Sequence, residues 1–457
     1  MFDPANEPFF RLDVAGLSQP LAVSCFSGHE ALSELFAFEL DVPSEALKTD
    51  PGGLMYRSCF LRLGADGQGI HAQIQGINLR CSGLARDHFR LFLGPRLGVL
   101  AQRLRRRLFQ QRTVPGIIAQ VLGEHGLRKD EFRFILKGHC VLRPYCVQFD
   151  ESDLRFIQRL CAEEGIHFHF RHSRDNHRLV FADGLGALRR SRPARFCPDE
   201  DGAVEDFRVS LSGKVRRGGA RSQELAQGES DLPGLQCASF LPLSGHPCAA
   251  WNRLWLLTAL EHRGDSSALE PPGLFYRNLF SATSWEVAPR SPGHYPKPRL
   301  PGLFRAWVAA GEPGSLVDSQ GRLAVQLRVF YQGEGARPGT CRLPLDRSAV
   351  GDVEAFLAGL ELGSPLWVRF ADGDPDRPTI VGRADTRQPH PAVADEQRPC
   401  TSPAFELLRA SQPPAVGWGA RRVVRAGIHE GEHVVAVAGY PHGPRAGRGV
   451  ARALCTL

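Results

Sequence analysis

The hydrophobic pattern of this chain changes its period at one glycine, Gly165. Before it, in QFDESDLRFIQRLCAEEG, apolar side chains recur at helical spacing. Acidic residues at 150–153 suit a helix N-terminus, and glycine suits the end of a helix. After it, in IHFHF, apolar and polar side chains alternate, which predicts a strand. The chain must therefore place a helix directly beside a sheet.

Histidines are concentrated around this change of period. A zinc site there could draw on Cys161, Glu163, Glu164, His167, His169, His172 and His177. Zinc requires at least three such ligands that converge on one point. A zinc enzyme that uses the His167/His169 cluster is therefore one hypothesis for the chain.

The alternation favours a structural interpretation instead. Ile166, Phe168 and Phe170 should face the core, which leaves His167 and His169 on the outer face of the strand. RDN then turns the chain into a second strand, RLVFAD, and the cysteine belongs to the apolar stripe of the helix. We therefore expect no catalytic residue, no metal ligand and no cofactor.

Composition limits the class of protein. A chain of 457 residues with 42% hydrophobic and 23% charged residues is typical of two to four globular domains. The start, MFDPANEPFF, lacks the features of a signal peptide, and no apolar run approaches the roughly 18 residues of a membrane helix. The 12 cysteines are scattered without a C-x-x-C pair, which indicates reduced, structural thiols in a cytosolic chain.

The net charge of +7 comes mainly from arginine. Basic clusters lie at 103–107, 189–195 and 421–425, but aromatic residues are not interleaved with them. Sequence-independent binding of nucleic acid usually combines a basic groove with aromatic stacking residues. The pattern therefore disfavours a nucleic-acid-binding protein.

Strand patterns dominate the rest of the chain. LFAFELDV and HFRLFLGP alternate, and TVPGIIAQVLGEHG predicts a helix capped by Thr113. Residues 201–234 are rich in Gly, Ser and Arg and predict a linker, whereas HPCAAWNRLWLLTALEH favours a strand. The proline-rich PGHYPKPRLPG, at 292–302, suggests a domain boundary.

A small β-barrel should follow that boundary. RLAVQLRVF alternates with Leu323, Val325, Leu327 and Val329 inward. PLWVRFADGDPDRPTIVGR contains a strand with Leu366, Val368 and Phe370 on one face, a turn and another strand. Four aromatic residues, Phe330, Tyr331, Trp367 and Phe370, are available for stacking, of which Phe370 should point inward.

Two stretches together resemble one family. YCVQFDESDLRFIQRLCAEEGIHFHF is similar to the helix-to-strand signature of the VgrG family, the spike proteins of type VI secretion, and FADGDPDRPTIVGR to the turn near the end of their OB-fold domain. FSGHEALSELFAFEL, RLFQQRTVPGIIAQVLGEHG, HPCAAWNRLWLLTALEH and DSQGRLAVQL agree in order and spacing. The resemblance covers about residues 9–390.

The resemblance implies a mainly β fold with inserted helices (α+β), in which phage tail hub-like barrels precede a small OB-fold barrel. It implies a hub-like domain at 1–300, with a shortened segment at about 201–234, an OB-fold spike domain at 301–387 and a tail without a recognisable domain at 388–457. The implied protein is structural and not an enzyme.

The resemblance also implies partners and location. The family forms homotrimers on a ring of Hcp, is tipped by a PAAR-repeat protein, and works with a baseplate and with adaptor or effector proteins. Contraction would drive the spike through a target membrane mechanically. The chain would be cytoplasmic before firing and then secreted without a signal peptide.

Three departures from the family pattern leave alternatives open. Residues 201–234 look shortened, Phe330-Tyr331 replaces the usual Trp-Asp, and DRSAVGDVEAFLAGLELGSP fits poorly. No valine-glycine repeat follows Arg387, so the sequence predicts a VgrG-like chain without the β-helix needle and a weak trimer. The alternatives are a truncated or decayed copy without activity, an OB-fold nucleic-acid-binding protein, and the zinc enzyme.

Overall fold

The computed structural model describes residues 10–44, 51–63, 67–82, 85–198, 200–216, 219–266, 275–286, 295–310, 316–331 and 338–384. The predicted tail at 388–457, the basic cluster at 421–425 and the first three residues of the proline-rich stretch lie outside the described residues.

Short and medium strands dominate the architecture, in agreement with the predicted mainly β fold. The first seven are β1 (Arg11–Val14), β2 (Leu21–Ala22), β3 (Cys25–Ala31), β4 (Ala37–Pro43), β5 (Ser58–Arg62), β6 (Gly69–Ser82) and β7 (Ala85–Gly94). The central elements are β8 (Leu104–Arg112), α1 (Val114–Glu124), β9 (Phe132–Ile135), β10 (Arg143–Ser152), α2 (Asp153–Glu164), β11 (His167–His172) and β12 (His177–Ala182).

The remaining strands and two short helices follow in chain order. They are β13 (Arg189–Arg190), β14 (Ala194–Arg195), β15 (Val204–Arg216), β16 (Gly219–Ser230), β17 (Ser239–Ser244), β18 (Leu254–Asp265) and β19 (Phe275–Ser284). The last group is β20 (Leu303–Val308), β21 (Arg322–Tyr331), β22 (Pro338–Pro344), α3 (Arg347–Val350), α4 (Val353–Ala358), β23 (Pro365–Phe370) and β24 (Pro378–Arg383).

The largest sheet has fourteen strands and joins distant parts of the chain. Its main path runs β15-β16-β19-β18-β3-β4-β7-β6-β5-β1-β2, with β17 paired to β18 and with β13 and β14 paired to β17. The central join is the antiparallel pair of β3 and β18, in which Glu30 lies opposite Leu260. Strands more than two hundred residues apart in sequence therefore form one surface.

The linker prediction for 201–234 was wrong. This segment forms β15 and β16, which pair with each other over most of their length, and β16 also pairs with β19. The apolar signal was sparse because β15 lies at the end of the sheet's main path and pairs along its length with β16. Phe207 and Ala226 are nevertheless buried, together with Trp255 of β18.

Both predicted helices are confirmed, and so are the cap of α1 at Thr113 and the end of α2 at Gly165, whereas the cap of α2 at Ser152 was not predicted. Thr113 accepts a hydrogen bond from the Gly116 N–H at the start of α1. Ser152 does the same for the Arg155 N–H at the start of α2, and Gly165 ends α2 with a φ of 70°. Their apolar stripes pack into the main core. No helix of the described part of the chain is long and apolar enough to cross a membrane.

The small barrel forms around its own core. Leu323, Val325 and Leu327 are buried as predicted, and so are Leu366, Val368 and Phe370. The prediction failed at Val329, which is only partly buried, whereas Phe330 is fully buried. The β21–β22 register shifts between Leu327 and Tyr331, and such an irregularity exchanges the two faces of a strand.

The barrel sheet extends past the expected boundary at residue 300. It contains seven strands, in the order β10-β8-β21-β20-β23-β24 with β22 beside β21. Two of these, β8 and β10, come from the preceding region, and Leu108 and Val147 contribute to the barrel core. The expected hub and OB domains are therefore joined by a shared sheet.

Candidate functional site

The histidines of the change of period are divided between two faces of one small sheet. Strands β11, β12 and β9 form this sheet. Phe168 and Phe170 face the main core, as predicted. His167 and His169 lie on the opposite face, but the expectation that they are exposed was wrong, since they are 0% and 3% exposed.

This second face is covered by the chain that follows β12. His169 lies opposite Val180 and His167 opposite Ala182, and Ala187 of the next turn packs against these two β12 residues. The two imidazole rings stack with centroids 6.0 Å apart. The sequence pattern did not show this cover, because it comes from a short turn without a strong apolar run.

Burial determines the charge of both rings. It lowers the pKa of His167 to about 4, despite the field of Asp183. It lowers the pKa of His169 to about 3, with further lowering by His167 and nearby arginines. Both nitrogens of His167 and Nδ1 of His169 have no hydrogen-bond partner among the described residues. The pair is therefore neutral at physiological pH.

His172 and His177 point to the core side and join a different group. The Nδ1 atoms of His71 and His177 are 2.9 Å apart. His172 Nε2 lies 3.9 Å from Glu30 Oε2, and Glu30 Oε1 lies 3.0 Å from Nε2 of the buried His262. Burial alone would raise the pKa of Glu30, but the hydrogen bond with His262 holds it below its ordinary value.

The remaining candidate ligands have other partners. Cys161 is buried in the apolar stripe of α2. Glu163 and Glu164 both accept hydrogen bonds from Arg143, at 2.7 and 2.6 Å. Within the described ranges, no group of three or more His, Cys, Asp or Glu side chains could hold a metal ion. The seven residues therefore do not form the zinc site that their spacing allowed.

The most specific constellation lies instead where the barrel meets the preceding region. The turn after β23 has positive φ at Asp372 and Gly373. Asp376 of this turn accepts a hydrogen bond from the Val147 N–H of β10, at 2.8 Å. Lys297 binds Asp374 at 2.8 Å and Asp376 at 2.6 Å. The GDPDRP turn therefore ties together β10, the proline-rich stretch and the barrel.

Burial also affects the charge of this turn. It raises the pKa of Asp376 above its ordinary value, although the Lys297 ammonium opposes the shift. The more exposed Asp374 has a lowered pKa, because Lys297 and the Asp376 N–H outweigh its burial. One lysine thus holds two carboxylates with different environments.

Buried ion pairs connect β8 and β10 to the helices α1 and α2. Arg107, 2% exposed, binds Gln148 at 2.8 Å and forms ion pairs with Asp153 and Glu124. Burial lowers the pKa of Arg107 below its ordinary value, against the fields of both carboxylates. Asp153 also contacts His125 Nε2 at 2.7 Å.

Arg159 of α2 forms a second part of this network. It is 1% exposed and binds Glu151 at 2.6 Å, Glu163 at 3.0 Å and the Val147 carbonyl at 2.9 Å. Burial raises the pKa of Glu151 despite this guanidinium. A buried charge is tolerated only when it is paired and hydrogen-bonded. The FDESDLRFIQRL motif therefore supplies buried ion pairs next to the contact of β8 and β10 with the barrel, which we call the joint.

Sequence reasoning missed this role of the arginines. The signal was present, because Arg159 falls within the apolar stripe of α2 and has Glu163 four residues later. In the 103–107 cluster, Arg105 and Arg107 pair with Asp153 and Arg106 pairs with Asp150. These three arginines form ion pairs within the chain, so they are not a free basic patch.

Comparisons with known proteins agree with this architecture. The family model described as "Phage tail baseplate hub (GPD)" matches residues 29–219. The type VI secretion system spike protein VgrG4b of Pseudomonas aeruginosa is 34% identical, over 93% of this chain and 61% of its own length. The actin cross-linking toxin VgrG1 of Vibrio cholerae is 26% identical, over 82% of this chain and 41% of its length.

A solved structure shows the same fold. It is a type VI secretion component of E. coli, described as structurally similar to the T4 bacteriophage tail proteins gp27 and gp5. The TM-score is 0.67 at 23% identity, covering 82% of this chain and 99% of that chain. The chain spans about three fifths of the length of the P. aeruginosa relative.

Proposed function

This chain belongs to the VgrG family of type VI secretion spike proteins, and on that premise we propose that it is a structural spike component that assembles on an Hcp tube. The role is mechanical. A contracting sheath would push the spike through a target membrane and carry attached effectors with it. The chain contributes stiffness and binding surfaces, and it performs no chemical step.

The shared seven-stranded sheet is the observation that supports this proposal most directly. A spike that transmits a push needs its barrel fixed to its base. Here β8 and β10 of the base pair into the barrel sheet, and Gln110 Nε2 also donates to the Thr340 carbonyl across the joint, at 2.6 Å. The buried ion pair of Arg107 with Asp153 connects β8 to α2, and that of Arg159 with Glu151 connects α2 to β10.

We extend the proposal to partners and location. The chain forms a weak homotrimer by itself, largely monomeric at micromolar concentration, which an Hcp ring stabilises. A PAAR-repeat tip protein, adaptor or effector proteins and the baseplate are its further partners. It is cytoplasmic before firing and is then secreted without a signal peptide.

The site geometry supports a role without catalysis. The neutral pair His167/His169 is closed off from solvent on its own face of the sheet, and the carboxylates of α2 form ion pairs with arginines. The internal pairing of residues 105–107 likewise argues against nucleic-acid binding through that cluster.

Complementation tests this function. The chain is expressed in a type VI secretion strain that lacks its own spike genes, and Hcp released into the medium is measured. A working spike restores Hcp release, whereas a variant with the joint broken, Arg159→Met, does not. A chain that is folded and abundant but releases no Hcp contradicts the proposal and supports the decayed copy.

A further inference from the structure

The outward face of the barrel carries two tryptophans, each beneath an arginine. Arg305 of β20 lies opposite Trp367 of β23, and its guanidinium carbon is 5.4 Å from the indole centroid. Arg328 of β21 lies 4.1 Å from the centroid of Trp307. Both arginines are exposed and both indoles are half-buried. These four residues form the arginine–tryptophan face.

The charge of this face is not neutralised within the described part of the chain. Neighbouring Arg369 is paired with Asp346 at 2.7 Å. The guanidinium groups of Arg305 and Arg328 instead lie over the indole rings and form no ion pair with a described carboxylate. Tryptophan and arginine are the residue types enriched at the energetic centres of protein interfaces. The face therefore suits a partner that is acidic and partly apolar.

The same barrel carries a surface of that kind. Helix α4 and the turn after it expose Glu354, Glu361 and Leu362, and the leucine is 66% exposed. Phe356 and Leu357, on the inner side, pack against the barrel core and fix the segment. Glu354 and Glu361 have no ion-pair partner among the described residues. Residues 352–362 form the acidic segment, in the region that fits the family pattern poorly.

We propose that the arginine–tryptophan face of one copy docks on the acidic segment of a second copy. The first surface carries two arginines over half-buried indoles, and the second carries Glu354 and Glu361 beside the exposed Leu362. Arg383 stacks on Phe356 of the second surface and donates to its carbonyl. Two different patches on one chain make a heterologous contact, which closes into a ring when the rotation permits. This inference rests on the proposed trimer and deepens it, because it assigns the barrel-to-barrel contact to named residues.

Charge reversal with rescue tests the contact. Self-association is followed by sedimentation velocity up to roughly 100 μM, where weak complexes are populated. Arg305→Glu with Arg328→Glu should weaken association at least about tenfold, and so should Glu354→Arg with Glu361→Arg, because like charges then face each other. The four changes together should restore association to within about threefold of the starting chain.

Two controls separate this result from unfolding and from net charge. Arg112→Glu with Arg190→Glu makes the same charge change at exposed positions elsewhere and should leave association unchanged. The milder pair Arg305→Gln and Arg328→Gln should weaken association less than reversal, with an unchanged melting temperature.

The outcomes distinguish the contact from the function. Association that withstands either reversal, or that the four changes fail to restore, overturns this contact while leaving the trimer intact. A starting chain that stays monomeric at every concentration, and also with Hcp rings, overturns the proposed function and this contact with it.

Discussion

At the scale of single residues, burial decides what the histidines and arginines of this chain can do. His167 and His169 are forced to be neutral because their face of the sheet is covered. Arg107 and Arg159 are also buried, but carboxylates surround them and they remain charged in ion pairs. Burial therefore keeps the two histidines neutral, whereas the two arginines stay charged because carboxylates pair with them.

The first prediction concerns acid stability. The pKa of His169 is about 3 in the folded chain and ordinarily 6.5, so the unfolded chain takes up the proton first as the pH falls. The free energy of unfolding therefore does not depend on the protonation of this ring well above pH 6.5, and it falls progressively as the pH decreases toward 3. Between pH 7 and pH 5 we expect a loss on the order of 2 kcal/mol from this group.

Urea unfolding of His169→Gln at both pH values checks this expectation. The variant should show a smaller drop in the free energy of unfolding between pH 7 and pH 5 than the parent chain. His139→Gln, at an exposed position, should keep the parent's pH dependence. An identical drop in His169→Gln and the parent would show that this ring protonates freely in the folded chain.

The second prediction concerns Arg159. Arg159→Met leaves Glu151 without its guanidinium in a buried position, and the expected loss of stability is about 3–5 kcal/mol. Adding Glu151→Gln should recover part of this loss, because the buried charge is removed as well. Chemical denaturation of the single and double variants measures both effects.

The control for Arg159 is an exposed ion pair. Arg128, 75% exposed, pairs with Asp130, and Arg128→Met should cost less than about 1 kcal/mol. If the two variants lose the same free energy of unfolding, Arg159 does not stabilise the joint through buried ion pairs.

At the scale of elements, the sequence predicted helices and strands with a clear hydrophobic period. It did not predict which of their faces other segments bury. The change from helix to strand at Gly165, the cap of α1 at Thr113 and the barrel strands followed from spacing and capping residues. Strands β15 and β16 were missed because their Gly- and Ser-rich pattern is weak at the end of the sheet's path. The burial of His167 was missed because its cover comes from another segment.

The third prediction tests the faces of β11. Phe168 is 1% exposed and packs against the ring of Phe181, with centroids 5.7 Å apart. Phe168→Ala should cost about 3–5 kcal/mol through lost contacts and a cavity. Phe275→Ala, at a position that is 39% exposed, should cost much less. Thermal melting that leaves the Phe168 variant near the parent would contradict the close packing of this ring in the main core.

The fourth prediction tests the GDPDRP turn. Asp376→Ala removes the acceptor for the Val147 N–H, so amide exchange in the 144–149 segment of β10 should quicken by about tenfold or more, equivalent to roughly 1.4 kcal/mol. Asp372→Asn removes only the charge of an exposed ion pair with Arg377 and suits the positive φ at this position, so it should leave that segment unchanged. Hydrogen exchange with mass spectrometry measures both, and equal protection in all chains would remove Asp376 from the joint.

At the scale of the whole molecule, the shared sheet changes how the chain is divided. The sequence placed a boundary near residue 300 because four prolines fall between 292 and 302. That pattern marks the start of the barrel, but spacing could not reveal that β8 and β10 pair into it from nearly two hundred residues earlier. Long-range strand pairing leaves no local signature, so the joint became visible only in three dimensions.

We propose that this chain forms a trimeric spike on an Hcp ring, and the mass of the complex decides whether it does. Light scattering is measured on the chain alone and after mixing with purified Hcp rings. We expect a mostly monomeric chain at micromolar concentration and a complex with the mass of one Hcp ring plus a trimer of this chain. A chain that remains monomeric and separate from the ring at every mixing ratio would contradict the claim.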